Sequence, residues 1–190
     1  MSRASEQVSR GRAHVLLIGL SGSGKSTVGR IVAEGMRRPF YDTDAEVERR
    51  TGTSVPAIFA KRGEGAFRAE ERAALCAALA RGVPSVIAVA GGAVIDPEAR
   101  RRIRAGNVVV WLDMTPHAIA ARVGAAEGRP LLEADPAGSL RRLDARRRPI
   151  YADLSDCAVQ ADFRPPEVLA EAVLRAARSL LDGPREETGL

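Results

Sequence analysis

Aromatic residues and lysine are scarce in this sequence of 190 residues. Phe, Trp and Tyr together make up 4% of the chain, which leaves few rings on which nucleic-acid bases could stack. Lys25 and Lys61 are the only lysines, so arginine carries nearly all of the positive charge. The shortage of aromatic residues argues against a protein that binds single-stranded nucleic acid.

Cysteine and long apolar runs are also scarce. The two cysteines, Cys76 and Cys157, lie far apart without the spacing of a metal-binding pair, and we expect reduced, buried thiols, as is usual in the cytoplasm. No apolar run approaches the roughly 20 residues of a membrane-spanning helix, and none follows the polar start of the chain as in a secretory signal. We therefore expect a soluble, cytoplasmic protein with no membrane partner.

Basic residues exceed acidic ones, 29 against 24, which gives a formal net charge of +5. Such an excess suits either a nucleic acid or small anionic substrates. The arginines are interleaved with acidic residues in AEVERR and RAEERA instead of forming one basic block. We therefore expect no nucleic-acid partner, and we interpret the charge as serving small anions and solvated helix faces.

Short apolar runs alternate with longer amphipathic stretches, which is typical of a parallel sheet joined by crossover helices. This pattern predicts one α/β domain over residues 13–182, with flexible tails over 1–12 and 183–190. A segment rich in glycine and proline, 124–139, is predicted to be a mobile loop. The predicted strands are 14–20, 39–43, 85–90, 107–113 and 157–161, and the predicted helices begin at Lys25 and at Pro116 and cover 66–80, 140–151 and 166–181.

Gly19, Gly24, Lys25 and Ser26 form the pattern G-x-x-x-x-G-K-S between a predicted strand and a predicted helix. In such a loop the backbone N–H groups turn towards phosphate oxygens, and the helix N-terminus adds a favourable dipole. The lysine can bridge the β- and γ-phosphates, and the serine hydroxyl can bind Mg²⁺. The loop predicts nucleotide binding but does not identify the phosphate acceptor.

Two carboxylates, Asp42 and Asp44, stand two residues apart at the end of the second predicted strand. Side chains at this spacing on a strand point the same way, and ligands of open parallel sheets bind at this edge. The pair could serve a metal ion and the hydroxyl that attacks phosphorus. The alternative is that one of the two carboxylates simply caps the next helix.

Arg68 and Glu71 share a face of the predicted helix over 66–80. An arginine held by a glutamate presents its fork to an anion such as a carboxylate. The alternative is an ordinary surface ion pair. Gly91 and Gly92 follow the third predicted strand, where glycine permits close approach of the backbone to a ligand, although a plain turn is the alternative.

Arg129 and Arg147 belong to the motifs RPLL and RRPIY, which lie in and after the predicted mobile loop. Phosphoryl transfer needs cationic side chains close to the γ-phosphate, and an arginine on a closing loop also helps to expel water. The alternative is a solvated basic face.

Taken together and in this order, the motifs resemble those of the shikimate kinase family. The resemblance runs from about residue 14 to about residue 180. It covers G-x-x-x-x-G-K-S, D-x-D, G-E-x-x-F-R-x-x-E, a Gly-Gly pair, R-P-L-L and R-x-P-x-Y. It implies a three-layer P-loop kinase fold with a five-stranded parallel sheet in the order 2-3-1-4-5, flanked by helices. It also implies a mobile lid over about 124–139 and substrate-binding helices over about 44–81.

The same resemblance implies ATP-dependent phosphorylation of the 3-hydroxyl of shikimate, a step towards chorismate and the aromatic amino acids, by a monomer that uses Mg²⁺. Arg68 and Arg147 would grip the substrate carboxylate. Asp44 would bind the ring hydroxyls and help to take the proton from the attacking one. The implied substrate-binding residues are Asp44, Arg68, Gly91, Gly92 and Arg147.

For the nucleotide, the resemblance implies that Lys25 and Arg129 stabilise the transferring phosphoryl group. Ser26 would bind Mg²⁺ directly, and Asp42 would do so through water. The implied ATP-binding residues are Gly22, Ser23, Gly24, Lys25, Ser26, Thr27, Arg122, Arg129 and Arg164, of which Arg122 and Arg164 would pack around adenine.

One position departs from the family pattern, which often has three glycines where this chain reads Ala90-Gly91-Gly92. If the first position needs a positive φ, Ala90 would cost about 1 kcal/mol. Two other functions stay open. A kinase for another polyol acid such as gluconate would be distinguished by Arg68 and Arg147, and a noncatalytic nucleotide-binding module would be expected to lack Lys25, Asp42 or Asp44.

Overall fold

The computed structural model describes residues 12–123 and 136–183. Five parallel strands form one sheet in the order β2-β3-β1-β4-β5, as predicted. The strands are β1 (Val15–Ile18), β2 (Phe40–Asp42), β3 (Val86–Ala88), β4 (Val108–Asp113) and β5 (Cys157–Gln160). The described helices are α1 (Lys25–Met36), α2 (Thr43–Thr51), α3 (Val55–Leu79), α4 (Pro97–Arg104), α5 (Pro116–Val123), α6 (Pro136–Leu154) and α7 (Pro166–Asp182).

The central strands β1 and β4 are buried along their whole length. Their continuous apolar runs require cover on both faces of the sheet, which is the arrangement expected of parallel strands. Helices α1 and α7 pack against each other, and α6 lies against β4. The ring of Trp111 on β4 stacks at 5.9 Å from the ring of Tyr151 on α6.

Each strand is shorter than predicted because apolar residues at the strand ends are buried in loops instead of being paired in the sheet. Leu20, Val89 and Ala90 are 3%, 1% and 2% exposed, yet all three lie beyond the last paired residues of β1 and β3. The residues that follow the carboxyl ends of these strands therefore belong to the core as well as to the ligand-binding edge.

Two predicted boundaries are wrong. Helix α3 begins at Val55, well before the predicted start at 66, and its backbone is interrupted at Gly63 (φ 76°, ψ 173°). Residues 136–139 were predicted to belong to the mobile loop, but they form the first turn of α6, where a proline at the first position suits a helix start. The remainder of that loop, 124–135, lies outside the described residues.

The two free cysteines are half-buried, so the prediction of fully buried thiols is wrong. Cys157 opens β5, an edge strand that pairs only with β4, and one side of such a strand stays open. Burial nevertheless raises the pKa of the Cys157 thiol to about 11. Within 12–123 and 136–183, no helix is both long and apolar enough to cross a membrane.

Candidate active site

The phosphate loop connects β1 directly to α1. Gly24 precedes the helix with a left-handed backbone (φ 93°), for which glycine is suited, and a Cβ atom there would lie 2.9 Å from Nη1 of Arg122, the end of a flexible side chain. Lys25 is buried, and its Nζ donates hydrogen bonds to the carbonyls of Gly19 (3.0 Å) and Leu20 (2.9 Å). The lysine head is thereby held against its own loop.

Ser23 lies inside this loop and is 1% exposed. Its Oγ is the one buried side-chain polar atom without a hydrogen-bond partner in the part of the chain that the structure describes. An unsatisfied buried hydroxyl costs about 1–3 kcal/mol. Ser23 does not line the pocket over the phosphate loop, and a Cβ atom at Gly19 would lie 3.1 Å from its Oγ, so the hydroxyl packs within the loop itself.

A pocket of about 440 Å³ lies over the phosphate loop. The structure here brings together residues from β2, α2 and α5 that are distant in sequence. The sequence-predicted residues that line it are Gly22, Gly24, Lys25, Ser26, Thr27, Asp42, Asp44 and Arg122.

Asp42 is the last residue of β2 and caps helix α2. Its Oδ1 accepts hydrogen bonds from the backbone N–H groups of Asp44 (3.0 Å) and Ala45 (3.4 Å). Asp44 therefore lies in the first turn of α2, and the prediction that both carboxylates stand on one strand is wrong. The capping alternative is confirmed for Asp42, although both side chains still line the pocket over the phosphate loop.

Burial raises the pKa of the Asp44 carboxyl above its usual value. The positive charge of Lys25 acts in the opposite direction, whereas the negative charges of Asp42 and Glu48 add to the rise. A carboxylate with a raised pKa is a stronger proton acceptor near neutral pH. Asp44 is therefore a candidate proton acceptor on the wall of this pocket.

A second cavity, of about 700 Å³, lies beside the first. The loop after β3 connects the two, because a Cβ atom at Gly91 would lie 3.1 Å from the backbone N of Ser21 in the first pocket, and the adjacent Gly92 borders the second.

Asp44, which lines the first, also interacts electrostatically with Arg68 and Glu71, which line the second. Gly92 and Arg147 also line the second cavity. Three of the five sequence-predicted acceptor residues therefore face one space, with Asp44 at its border with the phosphate loop.

Arg68 projects from α3 and is held by two carboxylates. Its Nη1 donates to Oε2 of Glu71 at 2.7 Å, while Nε and Nη2 donate to Oε1 of Glu64 at 3.3 Å and 3.0 Å. The Glu71 side chain is only 4% exposed, so the alternative of an ordinary surface ion pair is wrong. Burial opposes the charged form of Arg68, but attraction to Glu71 and Glu64 outweighs it and raises the arginine pKa.

The carbonyl of Gly91 is held from α6. It accepts hydrogen bonds from Nη1 of Arg147 at 3.0 Å and from the hydroxyl of Tyr151 at 2.8 Å. Both donors are buried, and burial raises the pKa of Tyr151 to about 12, which keeps its hydroxyl protonated as a donor. The loop after β3 is therefore fixed to the helix that carries Arg147.

The same loop is fixed to β2 and packed against α3. The buried Thr43 hydroxyl accepts a hydrogen bond from the Ala90 N–H at 2.8 Å, and a Cβ atom at Gly92 would lie 2.1 Å from Nη1 of Arg68. Among the described non-glycine residues, only Arg37 and Phe163 have a positive φ. Ala90 is thus free of the backbone strain considered from the sequence, and Gly92 is needed for close approach rather than for its φ.

The two arginines predicted near adenine lie together at the surface. Nη2 of Arg122 donates to the carbonyl of Arg164 at 3.3 Å, and Arg122 also borders the phosphate loop at Gly24. The remaining predicted cation, Arg129, lies outside the described residues.

The sequence alone did not identify three of these contacts. The hydrogen bond from Arg68 to Glu64 has the four-residue spacing of neighbours on a helix, but the predicted helix over 66–80 begins after Glu64, so the sequence did not mark this pair. Tyr151 belongs to the motif R-x-P-x-Y, but its partner Gly91 is 60 residues away. Thr43 carries no sequence signal for its bond to Ala90, because only the pairing of β2 with β3 brings the two together.

Comparison with known proteins agrees with this geometry. The family model described as shikimate kinase matches residues 21–178. Shikimate kinase from Pseudomonas syringae pv. tomato is 41% identical over 162 residues, which cover 85% of this chain and 94% of that protein. Shikimate kinase from Symbiobacterium thermophilum is 44% identical over 162 residues, which cover 83% of this chain and 92% of that protein.

Among solved structures, the shikimate kinase from Acinetobacter baumannii in complex with shikimate superposes with a TM-score of 0.85. It is 32% identical and covers 92% of this chain and 98% of its own length. Sequence and fold therefore agree, and the chain belongs to the shikimate kinase family.

Proposed function

We propose that this protein transfers the γ-phosphate of ATP to the 3-hydroxyl of shikimate, giving shikimate 3-phosphate and ADP on the route to chorismate and the aromatic amino acids. The observation that carries the proposal is the adjacency of two sites. A phosphate loop with a buried Lys25 borders, through Asp44, a cavity in which Arg68 and Arg147 are fixed. Membership of the shikimate kinase family supports the same substrate pair.

Shikimate carries one carboxylate, to which we assign Arg68 and Arg147 among the four arginines that line the second cavity, the others being Arg72 and Arg146. Arg147 is anchored by its bond to Gly91 and Arg68 by its bond to the buried Glu71, so little ordering remains to be done on binding. Pre-ordered arginine forks recognise carboxylates well. The amides of Gly91 and Gly92 would add backbone contacts to the bound acid.

Asp44 would accept the proton of the attacking 3-hydroxyl as the oxygen bonds to the γ-phosphorus and ADP leaves. Its raised pKa suits this role. Lys25 would stabilise the negative charge that moves from the γ-phosphate towards ADP, as lysine does in related loops. Arg129, in the segment predicted from the sequence to be a lid, would add a further cation.

The loop residues fit Mg²⁺ bound to ATP. Magnesium prefers oxygen ligands and keeps several waters, so it needs one or two protein ligands. Ser26 offers a hydroxyl and Asp42 a carboxylate in the same pocket. Ser26 would hold the ion directly and Asp42 would hold it through water, and the bound ion would supply charge neutralisation during transfer.

The other proposed nucleotide contacts come from Gly22, Ser23, Gly24 and Thr27 for the phosphates and from Arg122 and Arg164 for adenine. We also propose that the protein works as a monomer in the cytoplasm, where its two free cysteines would stay reduced. The alternative of a noncatalytic nucleotide-binding module has less support, because Lys25, Asp42 and Asp44 are all present in one pocket.

A coupled assay for ADP tests this function. With ATP and Mg²⁺, the protein is expected to release ADP only when shikimate is added. Arg68→Ala should raise KM for shikimate by roughly tenfold or more, the effect of losing a charge-assisted hydrogen bond of about 1.5–3 kcal/mol, and should leave KM for ATP nearly unchanged. Absence of shikimate-dependent ADP release would overturn the proposal, and equal effects on both KM values would argue against carboxylate recognition by Arg68.

A further inference from the structure

Glu64 occupies one edge of the Arg68 guanidinium in the substrate cavity. Its Oε1 accepts hydrogen bonds from both Nε (3.3 Å) and Nη2 (3.0 Å) of Arg68. Glu71 takes Nη1 at 2.7 Å, so all three nitrogens of the guanidinium already bind a glutamate. Glu64 thereby occupies the Nε–Nη2 edge of the guanidinium, an edge on which arginine binds a carboxylate in bidentate fashion.

The two glutamates differ in how easily they can leave. The Glu71 side chain is 4% exposed, whereas that of Glu64 is 61% exposed. Moving the charge of Glu71 would leave it buried and unpaired, which is costly. The charge of Glu64 can return to water, and exposed ion pairs of this kind are worth only about 0.2–1 kcal/mol.

The backbone around Glu64 permits such a movement. The helix is interrupted at Gly63 (φ 76°, ψ 173°), immediately before Glu64, and Gly65 follows. A Cβ atom at either glycine would meet no other atom within 4 Å, so open space surrounds both. Nothing in the packing of the described residues fixes Glu64 at this place except its contact with Arg68.

The local charge at Arg68 favours departure of Glu64 when an acid binds. Four arginines and three carboxylates line the cavity as a whole, but Glu64 and Glu71 are the two carboxylates that pair with Arg68 itself. If Glu64 stayed in place, a substrate carboxylate at Arg68 would be the third carboxylate around the same guanidinium. Like charges at contact distance repel strongly. When the Glu64 side chain moves into solvent, Arg68 remains paired with one buried glutamate and with the substrate carboxylate.

We propose that Glu64 occupies the position on Arg68 that the substrate carboxylate takes, and that binding of the substrate displaces Glu64. Glu64 is thus a specificity-determining residue, because it lowers the affinity for the acid and admits only a ligand whose own carboxylate replaces it on Arg68. This inference rests on the proposed function, since it takes shikimate as the acid.

Calorimetric titration of shikimate into the protein without nucleotide tests the displacement. Glu64→Gln and Glu64→Ala remove the competing charge from an exposed position, so both variants should fold. Both should bind shikimate more tightly than the wild type, by roughly two- to fivefold, the range of an exposed ion pair. Their affinity for ADP should not change, because Glu64 lines the substrate cavity and not the pocket over the phosphate loop.

Glu70→Gln is the matched control. It neutralises the same charge on the same helix, but Glu70 pairs with Arg62 and not with Arg68, so the affinity for shikimate should stay at the wild-type value. An equal gain in affinity for shikimate in Glu70→Gln would show that the effect comes from the change in net charge, and would overturn the inference.

Unchanged or weaker binding in the two Glu64 variants would show that Glu64 orients Arg68 instead of competing with the substrate, and would also overturn it. Failure of the proposed function looks different, because then the wild type itself would neither bind shikimate nor release ADP in its presence.

Discussion

Asp44 and Glu71 are carboxylates whose burial raises their pKa values above the usual range. Each group binds its proton more readily in the folded than in the unfolded protein. The resulting contribution to stability is therefore fully present below the unfolded-state pKa and is lost as the pH rises through the folded-state pKa. At neutral pH both carboxylates work against folding, and such a cost is common at active sites.

Asp44→Asn should remove this cost for one of the two carboxylates. We expect the variant to gain stability relative to the wild type as the pH is raised from about 4 to 7, the direction that follows from a raised folded-state pKa. At the same time kcat should fall by roughly 100-fold or more, as on loss of a general base. Thermal unfolding at several pH values and the coupled ADP assay measure the two effects.

Asp182→Asn serves as the control, because this exposed aspartate lies at the end of α7, away from the phosphate loop. It should change neither the pH dependence of stability nor kcat. A constant stability difference between Asp44→Asn and the wild type across the pH range would contradict the assignment of a raised pKa to Asp44.

Individual residues of the site were largely predictable from the sequence, but their partners were not. Lys25 and Ser26 follow from a local motif, because the phosphate loop is made by consecutive residues. Thr43 reaches Ala90 across 47 positions of the chain, and no short-range pattern marks a hydrogen bond of that span. The sequence predicts Asp42 as a site residue. That Asp42 both caps α2 and lines the pocket follows only from the structure, in which β2 ends at this residue.

At the scale of secondary-structure elements, the site depends on the short loop between β3 and α4. Thr43 at the start of α2 and Tyr151 on α6 hold this loop from two sides, and Gly92 brings it against Arg68 on α3. Three helices, of which α6 lies far from the other two in sequence, therefore set the position of one loop. The strands themselves were predictable because their continuous apolar runs reflect burial on both faces.

Gly92→Ala should separate the packing of this loop from its function. The added Cβ would lie 2.1 Å from Nη1 of Arg68, the far end of a flexible side chain, and the backbone of Gly92 (φ −91°, ψ −19°) suits alanine. Arg68 should therefore shift at small cost to stability, while KM for shikimate rises by roughly tenfold. Thermal unfolding and steady-state kinetics provide the two readouts.

Gly82→Ala is the comparison, since a Cβ at Gly82 meets nothing within 4 Å, and both readouts should match the wild type. A Gly92→Ala protein with normal KM for shikimate would show that the contact between Gly92 and Arg68 has no part in substrate binding.

The whole molecule couples ligand binding to stability because the site joins elements from across the sheet. Loops after β1, β2 and β3 and side chains of α3 and α6 all contribute to the two pockets. A ligand that binds only the folded state stabilises it by mass action. Shikimate should therefore protect the entire fold and not a local segment.

Shikimate at about 100 times its dissociation constant should raise the free energy of unfolding by about 2.7 kcal/mol, which corresponds to roughly 5–10 °C in Tm. Gluconate at the same concentration should have little effect, because the placement of Asp44 relative to Arg68 and Arg147 is expected to suit a rigid ring acid. Differential scanning fluorimetry with both acids checks this. An equal shift with gluconate would favour the alternative polyol substrate.

The sequence by itself determined the fold class, the strand order through its family resemblance, and the identity of most charged site residues. These features depend on local patterns and on motifs whose order along the chain is informative. Tertiary structure decided the contacts that span 47–60 positions, such as Thr43 to Ala90 and Tyr151 to Gly91. It also decided that Ala90 is unstrained and that Glu64 holds Arg68. The physical reason is that backbone dihedrals and side-chain partners at a site depend on which surfaces the whole fold packs together.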